Sequence, residues 1–271
     1  MIFLKSPNLI FIKTKKTAGT SIEIALSAHA DENDIITPIG NPGMMDECIR
    51  MDMGFKQPQN WARTKNQEEW YRWQVRQFYK LYGTPLLYHL DIDWTPLKRR
   101  WLKYTGTKAR YVFANHMTAE ELAPKIGEDV FLRAHKITSV RHPYEQLVSH
   151  VHFKIKKLKL PYIVNFRKVT QKSFDWMADD ILKHEKPNHE YYFYKNQFLI
   201  EHVVRYEHMQ EDLAKVEKAF GLSLIDKLPI TKATYRSDKR PAHEILSKEQ
   251  MKRCYEKSRV EFEMFGYNRY F

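Results

Sequence analysis

Two stretches of this 271-residue chain combine cations, hydroxyls and small residues in an order that suits phosphate chemistry. The first runs Phe11-Ile-Lys-Thr-Lys-Lys-Thr-Ala-Gly-Thr-Ser21. Placed between a strand and a helix, such a turn aims free backbone N–H groups and the positive end of the helix dipole at an anion. Ala18 and Gly19 allow close backbone approach, Thr17, Thr20 and Ser21 offer hydroxyls, and Lys16 can neutralise charge developing on a leaving oxygen. The order is not that of a Walker A loop, because the lysine precedes the glycine. From the residues alone an ordinary capped helix is equally open, with Thr20 and Glu23 at capping-box spacing. The second stretch, Ser139-Val-Arg-His-Pro-Tyr-Glu-Gln-Leu-Val-Ser149, sets Arg141 before a helix that carries Ser149. A guanidinium forks onto a phosphate and a hydroxyl completes such a pocket, although an arginine at a strand end also serves in surface ion pairs.

The elements that must hold these residues follow from periodicity. Leu9–Ile12 and Lys136–Val140 are short apolar runs that read as buried parallel strands, each leading into one of the two stretches. Ile22, Ala25, Leu26 and His29 share one face of a helix after the first. Pro143 stands at the first turn of a helix through Tyr144–Phe153. A strand is expected at Arg110–Phe113, then a helix over Ala119–Ile126. Later come helices around Phe174–His184 and Glu207–Phe220, a strand at His202–Arg205, and a helix Ser247–Phe262 with Ser247 and Gln250 as its capping box. Strands alternating with helices predict one α/β domain over residues 1–271, with a central parallel sheet flanked by helices. Residues 40–108 read as a helical and irregular insertion, with one helix from Gln67 to Leu81.

Composition narrows the partners. Lys and Arg exceed Asp and Glu by 12 charges, so the surface attracts polyanions. A phosphorylated nucleotide, an anionic glycan, nucleic acid or an acidic membrane surface would each satisfy that. Trp61, Trp70, Tyr71, Trp73, Trp94 and Trp101 can pack in a core or stack on sugars. The two cysteines, Cys48 and Cys254, have no metal or redox spacing. His150 and His152, two apart on a helix, point to different sides, so no metal is expected. No stretch has the length of a membrane span, and the expected location is cytoplasmic.

Lys16-Thr-Ala-Gly-Thr-Ser21 resembles the Pro-Lys-Thr-Gly-Gly-Thr-Ser motif of sulfotransferases, with Lys15 in place of the proline and Ala18 in place of the first glycine. Ser139–Ser149 is similar to that family's Val-Arg-Asp/His-Pro-Tyr-x-x-x-x-Ser motif, and Val203–Leu213 and Phe265-Gly266-Tyr267 to its later segments. The resemblance implies a sheet related to that of P-loop kinases and a donor, 3′-phosphoadenosine 5′-phosphosulfate (PAPS), that leaves as adenosine 3′,5′-bisphosphate (PAP). It assigns Lys16 to Ser21 to the 5′-phosphosulfate, and Arg141 and Ser149 to the 3′-phosphate. A basic loop closes over the nucleotide in related enzymes, which implies contacts from Arg236 and Lys239.

A hydroxyl acceptor needs a base. His116 stands after the expected middle strand, a position resembling that of a histidine in glycan O-sulfotransferases; a structural histidine at a helix entrance is the other reading. Glu23 is the alternative base. The expected reaction is sulfuryl transfer to a hydroxylated acceptor, a carbohydrate, with no specific nucleic acid and no metal. The alternatives are a nucleotide kinase of the related fold and a non-enzymatic polyanion-binding module.

Overall fold

The computed structural model describes residues 1–39, 44–82, 112–157, 170–229, 231, 236 and 238–270. In chain order the elements are β1 (Ile2–Leu4), β2 (Leu9–Ile12), α1 (Gly19–Ser27), β3 (Ile35–Ile36), α2 (Met44–Asp52) and α3 (Lys65–Tyr82). Then follow α4 (Ala119–Ile126), α5 (Glu128–Arg133), β4 (His135–Val140), α6 (Pro143–Lys157), α7 (Gln171–His184) and α8 (His189–Tyr192). The remainder is β5 (Phe193–Tyr194), β6 (Gln197–Phe198), β7 (His202–Arg205), α9 (Met209–Phe220), α10 (Ala242–Ile245), α11 (Lys248–Lys257) and α12 (Arg259–Phe265).

A five-stranded sheet in the order β3-β1-β2-β4-β7 forms the centre. Its functional half is parallel: Ile12 pairs with Thr138 across β2 and β4, and Val140 with Arg205 across β4 and β7. The other half departs from the all-parallel expectation, since β1 is antiparallel to both β2 and β3. Only Lys5 to Asn8 separate β1 from β2, and a connection that short can only reverse the chain; a parallel neighbour needs a crossover of a dozen residues or more.

Side chains alternate across β2, so both faces are covered. Ile10 and Ile12 join Phe3, Val140, Leu122 and Phe131 on one side. Leu9 and Phe11 join Ile22, Leu26, Ile137, Val204 and Leu213 on the other. A third apolar cluster welds α6 to α7 and α11 through Val148, Val151, Met177, Ala178 and Met251.

Several expected elements lie where periodicity placed them, and four differ. The expected box at Thr20 and Glu23 does not cap α1, which starts at Gly19 behind Ala18 with no side-chain cap; Glu23 bonds the buried Lys13 instead. Of the expected strand Arg110–Phe113, Val112 and Phe113 are described and form no strand, and both N–H groups donate to the Trp61 carbonyl. Arg110 and Tyr111 fall outside the described residues. The last expected helix is two, α11 and α12, broken at Ser258, although Ser247 and Gln250 do form the capping box. Finally, part of the expected insertion belongs to the core. Trp61 is buried in the main cluster, and Arg50 of α2 reaches Glu23 at 3.9 Å. Residues 40–43 and 83–111, with Trp94 and Trp101, lie outside the described residues.

Candidate functional site

Both chemical stretches leave the carboxyl ends of β2 and β4, which are hydrogen-bonded neighbours. The carboxyl end of a parallel sheet is where open α/β folds hold ligands. The turn after β2 is bent by two left-handed residues, Lys16 at φ 63° and Ala18 at φ 62°. Thr17 between them lies outside that region, so left-handed and ordinary backbone alternate through the turn, a pattern that occurs in anion nests. Gly19 is required by packing, because a Cβ there would lie 2.9 Å from Lys13 Cγ. The Lys16 ammonium lies 4.3 Å from the centroid of the Phe153 ring, on α6.

Hydroxyls stitch the two stretches together. Thr17 Oγ1 lies 2.8 Å from both Thr14 Oγ1 and Ser139 Oγ, and the Thr14 hydroxyl donates to the Ser139 carbonyl. Ser21 reaches Thr231 at 2.9 Å, which ties the start of α1 to the chain leading into the basic loop. Thr17, Gly19, Thr20 and Ser21 are all buried.

Arg141 lies at the end of β4, its guanidinium largely buried between Tyr206, 4.1 Å from the ring centroid, and Glu145 at 3.4 Å. Its Nε is buried and has no hydrogen-bond partner among the described residues. A buried guanidinium donor lacking an acceptor fits an anionic ligand. Arg236 is drawn to the same place by Glu145, with which it forms a close ion pair, while Glu145 Oε1 accepts from the Ala242 N–H at 2.7 Å. Arg236 also donates from Nε to the Asp238 carbonyl at 2.7 Å and from Nη2 to the Arg240 carbonyl, which folds the loop on itself. Burial pushes the Glu145 carboxyl up, but the hydrogen bonds from Arg236 and Ala242 and the charge of Arg141 prevail and hold it below the usual range. Ser149, half-buried, follows Glu145 by one turn and so shares its face of α6. Lys239 is exposed on the loop.

His116 lies beside the first turn, its Nδ1 3.1 Å from the Lys13 carbonyl. A carbonyl only accepts, so Nδ1 carries the proton and the neutral ring presents Nε2 as an acceptor. Burial, then the positive charge of Lys13, holds its pKa well below the ordinary histidine value. Glu23, the alternative base, is fully buried and bonded to Lys13 at 2.6 Å and to the Met1 amine at 3.1 Å. That geometry gives it a counter-ion role and no path to a substrate hydroxyl.

A further ionic cluster flanks Lys16. Lys15 pairs with Glu185 at 2.5 Å, and Lys154 with the other oxygen of Glu185 at 2.8 Å. Lys154, on α6, is therefore part of the site's framework. His150 sits among these charges; burial, together with Lys16, Lys15 and Lys154 and against Glu185, depresses its pKa to about 3. It stays neutral at physiological pH. Sequence reasoning passed over Glu145, Glu185 and Asn188, since their roles depend on contacts 97, 170 and 173 residues away.

The α/β sheet thus brings two cation-bearing turns together at the ends of adjacent parallel strands. The family model for the sulfotransferase family matches residues 1–268, and the chain belongs to that family. No curated protein matches the chain, and no solved structure does. The protein is thus a transferase of sulfuryl groups to a hydroxyl acceptor.

Proposed function

We propose that this protein transfers the sulfuryl group of PAPS to a hydroxyl of a carbohydrate, with PAP as the other product. The observation that carries the reading is the junction of the two stretches: Thr17 and Ser139 share a 2.8 Å hydrogen bond across the ends of β2 and β4. One nucleotide could therefore be gripped at both ends, by Lys16–Ser21 at the 5′-phosphosulfate and by Arg141 and Ser149 at the 3′-phosphate. Arg236 and Lys239, on the loop tied to Glu145, are assigned to the nucleotide's outer side.

In this reading the acceptor oxygen attacks sulfur in line while the bond from sulfur to the bridging oxygen breaks. The electron pair of that bond goes to the 5′-phosphate, where Lys16 balances the new charge. The acceptor proton goes to Nε2 of His116, whose orientation the Lys13 carbonyl fixes. A carbohydrate acceptor is supported by the +12 charge and by Trp70 and Trp73, which are exposed and stack with centroids 4.9 Å apart.

A thermal-shift titration tests the donor. PAP should raise Tm without magnesium, by the linkage that stabilises any protein whose folded state alone binds the ligand. A shift produced by ATP with magnesium and not by PAP would replace this reading with the kinase one. Weak, salt-sensitive binding of both would leave only a polyanion-binding role. The acceptor is then sought by screening oligosaccharides with labelled PAPS and weighing the products for an added sulfuryl group.

A further inference from the structure

Asn188 stands at the N-cap of α8, a place where asparagine usually accepts a hydrogen bond from the helix it precedes. Here its side chain caps nothing in α8. The carboxamide is buried against the backbone of Lys15 instead: Oδ1 accepts from the Lys15 N–H at 3.0 Å, and Nδ2 donates to the Lys15 carbonyl at 2.9 Å. Both bonds fall on the residue immediately before Lys16.

The mount of this clamp is itself fixed. Glu261 accepts from the His189 N–H at 2.7 Å and from His189 Nδ1 at 2.9 Å, anchoring the start of α8 to α12. Three residues before Asn188, Glu185 holds the Lys15 ammonium. Three residues after it, Tyr191 lies 5.6 Å below that ammonium and 6.3 Å from the His116 ring, centroid to centroid. The segment from Glu185 to Tyr191 thus grips Lys15 by backbone and side chain and reaches the proposed base.

Such a grip answers a local need. Lys16 and Ala18 both bear side chains in left-handed backbone, which L-residues adopt reluctantly. A turn of that kind keeps its shape only where its surroundings over-determine it. In the motif this turn resembles, the place of Lys15 is taken by proline, whose ring fixes φ covalently. We propose that Asn188 is a positioning residue for sulfuryl transfer: by clamping the Lys15 backbone it fixes where the Lys16 ammonium stands. The inference rests on the role proposed for Lys16.

The test measures PAP release from PAPS with water as acceptor, together with direct PAP binding, so that no acceptor need be known. Asn188→Ala should lower kcat about tenfold or more, since a displacement on the order of 1 Å in a reacting group can cost about a hundredfold. PAP affinity should stay within about threefold. A double-mutant series supplies a signature that a merely structural residue would not give. With Asn188 present, Lys15→Pro should be less active than Lys15→Ala, because the ring removes the N–H that Oδ1 accepts. With Asn188→Ala, the order should reverse, Lys15→Pro now supplying the missing restraint. Should Asn188→Ala fail to fold, Asn188→Leu, which is close in shape and loses both the acceptor and the donor, carries the same comparison. Additive effects without reversal overturn the proposal, as does a fall in Tm with kcat unchanged. Wild-type protein that does not bind PAP, or Lys16→Ala that keeps full turnover, removes the functional reading on which it rests.

Discussion

Replacement of Arg141 by alanine isolates one end of the proposed nucleotide. The Arg141 side chain is 11% exposed, and its guanidinium has an unpartnered Nε among the described residues and is held by Tyr206 and Glu145. A phosphate in its reach would take two charge-assisted hydrogen bonds, each contributing about 1.5–3 kcal/mol. Part of that gain replaces the existing contact with Glu145, which is a long 3.4 Å. A net loss of about 3 kcal/mol on removal is therefore expected, or a Kd for PAP raised about 100-fold. The informative measurement is a pair of calorimetric titrations, with PAP and with adenosine 5′-monophosphate, which lacks the 3′-phosphate. Arg141→Ala should weaken PAP and leave the monophosphate within about threefold, collapsing the preference between them. Arg141→Lys, which keeps charge but loses the fork, should fall between. Unchanged PAP affinity, or equal loss for both nucleotides, would refute the assignment of this arginine to the 3′-phosphate.

Other perturbations address the remaining groups. Lys16→Ala should reduce PAPS turnover by about 100-fold or more while PAP binding changes little, as expected for a group acting on charge that develops in the transition state. His116→Ala should keep PAP binding and lose turnover, and the acid limb of the wild-type kcat–pH profile should lie well below pH 6.5, the side to which burial moves this histidine. Glu23→Gln is expected to destabilise the fold by about 3–5 kcal/mol, because it leaves buried cations without their carboxylate. Burial pushes the Glu23 carboxyl up, but Lys13, the Met1 amine and Arg50 bring it down to about 2. A depressed carboxylate contributes stability above its unfolded pKa near 4.5 and loses it as pH falls towards 2. Urea unfolding of wild type and variant should therefore converge as pH drops through that window; parallel curves would count against the buried pair.

How much of this was legible beforehand depended on the range of the interactions. Leu9–Ile12, Ala119–Ile126 and His202–Arg205 form elements with those very bounds, because an apolar run or a Thr-x-x-Glu cap is decided by neighbours in sequence. The junction of Thr17 with Ser139 was implied only through the order of two motifs on two strands. Glu23 shows the limit most clearly. Its spacing from Thr20 satisfies the capping-box pattern, but a buried ammonium ten residues earlier is a stronger partner for a carboxylate than a backbone N–H. Nothing in the local sequence says that Lys13 is buried. Asn188 was invisible for the same reason: an asparagine before a short helix looks like a cap until the tertiary contact with Lys15 is seen.

The carboxylates around the site explain how so many cations can converge before a ligand arrives. Glu23 on α1 balances Lys13, Glu185 past the end of α7 balances Lys15 and Lys154, and Glu145 on α6 balances Arg141 and Arg236. Each carboxylate is held on or beside a packed helix, Glu23 on α1, Glu145 on α6 and Glu185 just after α7, so the cations are oriented by that scaffold rather than by one another. Repulsion that would spread them is offset, and the imidazole of His150 in their midst remains neutral. In the reaction proposed above, a site held in this way would need little rearrangement as charge moves onto the leaving phosphate, and preorganisation of that kind supplies the larger part of electrostatic catalysis.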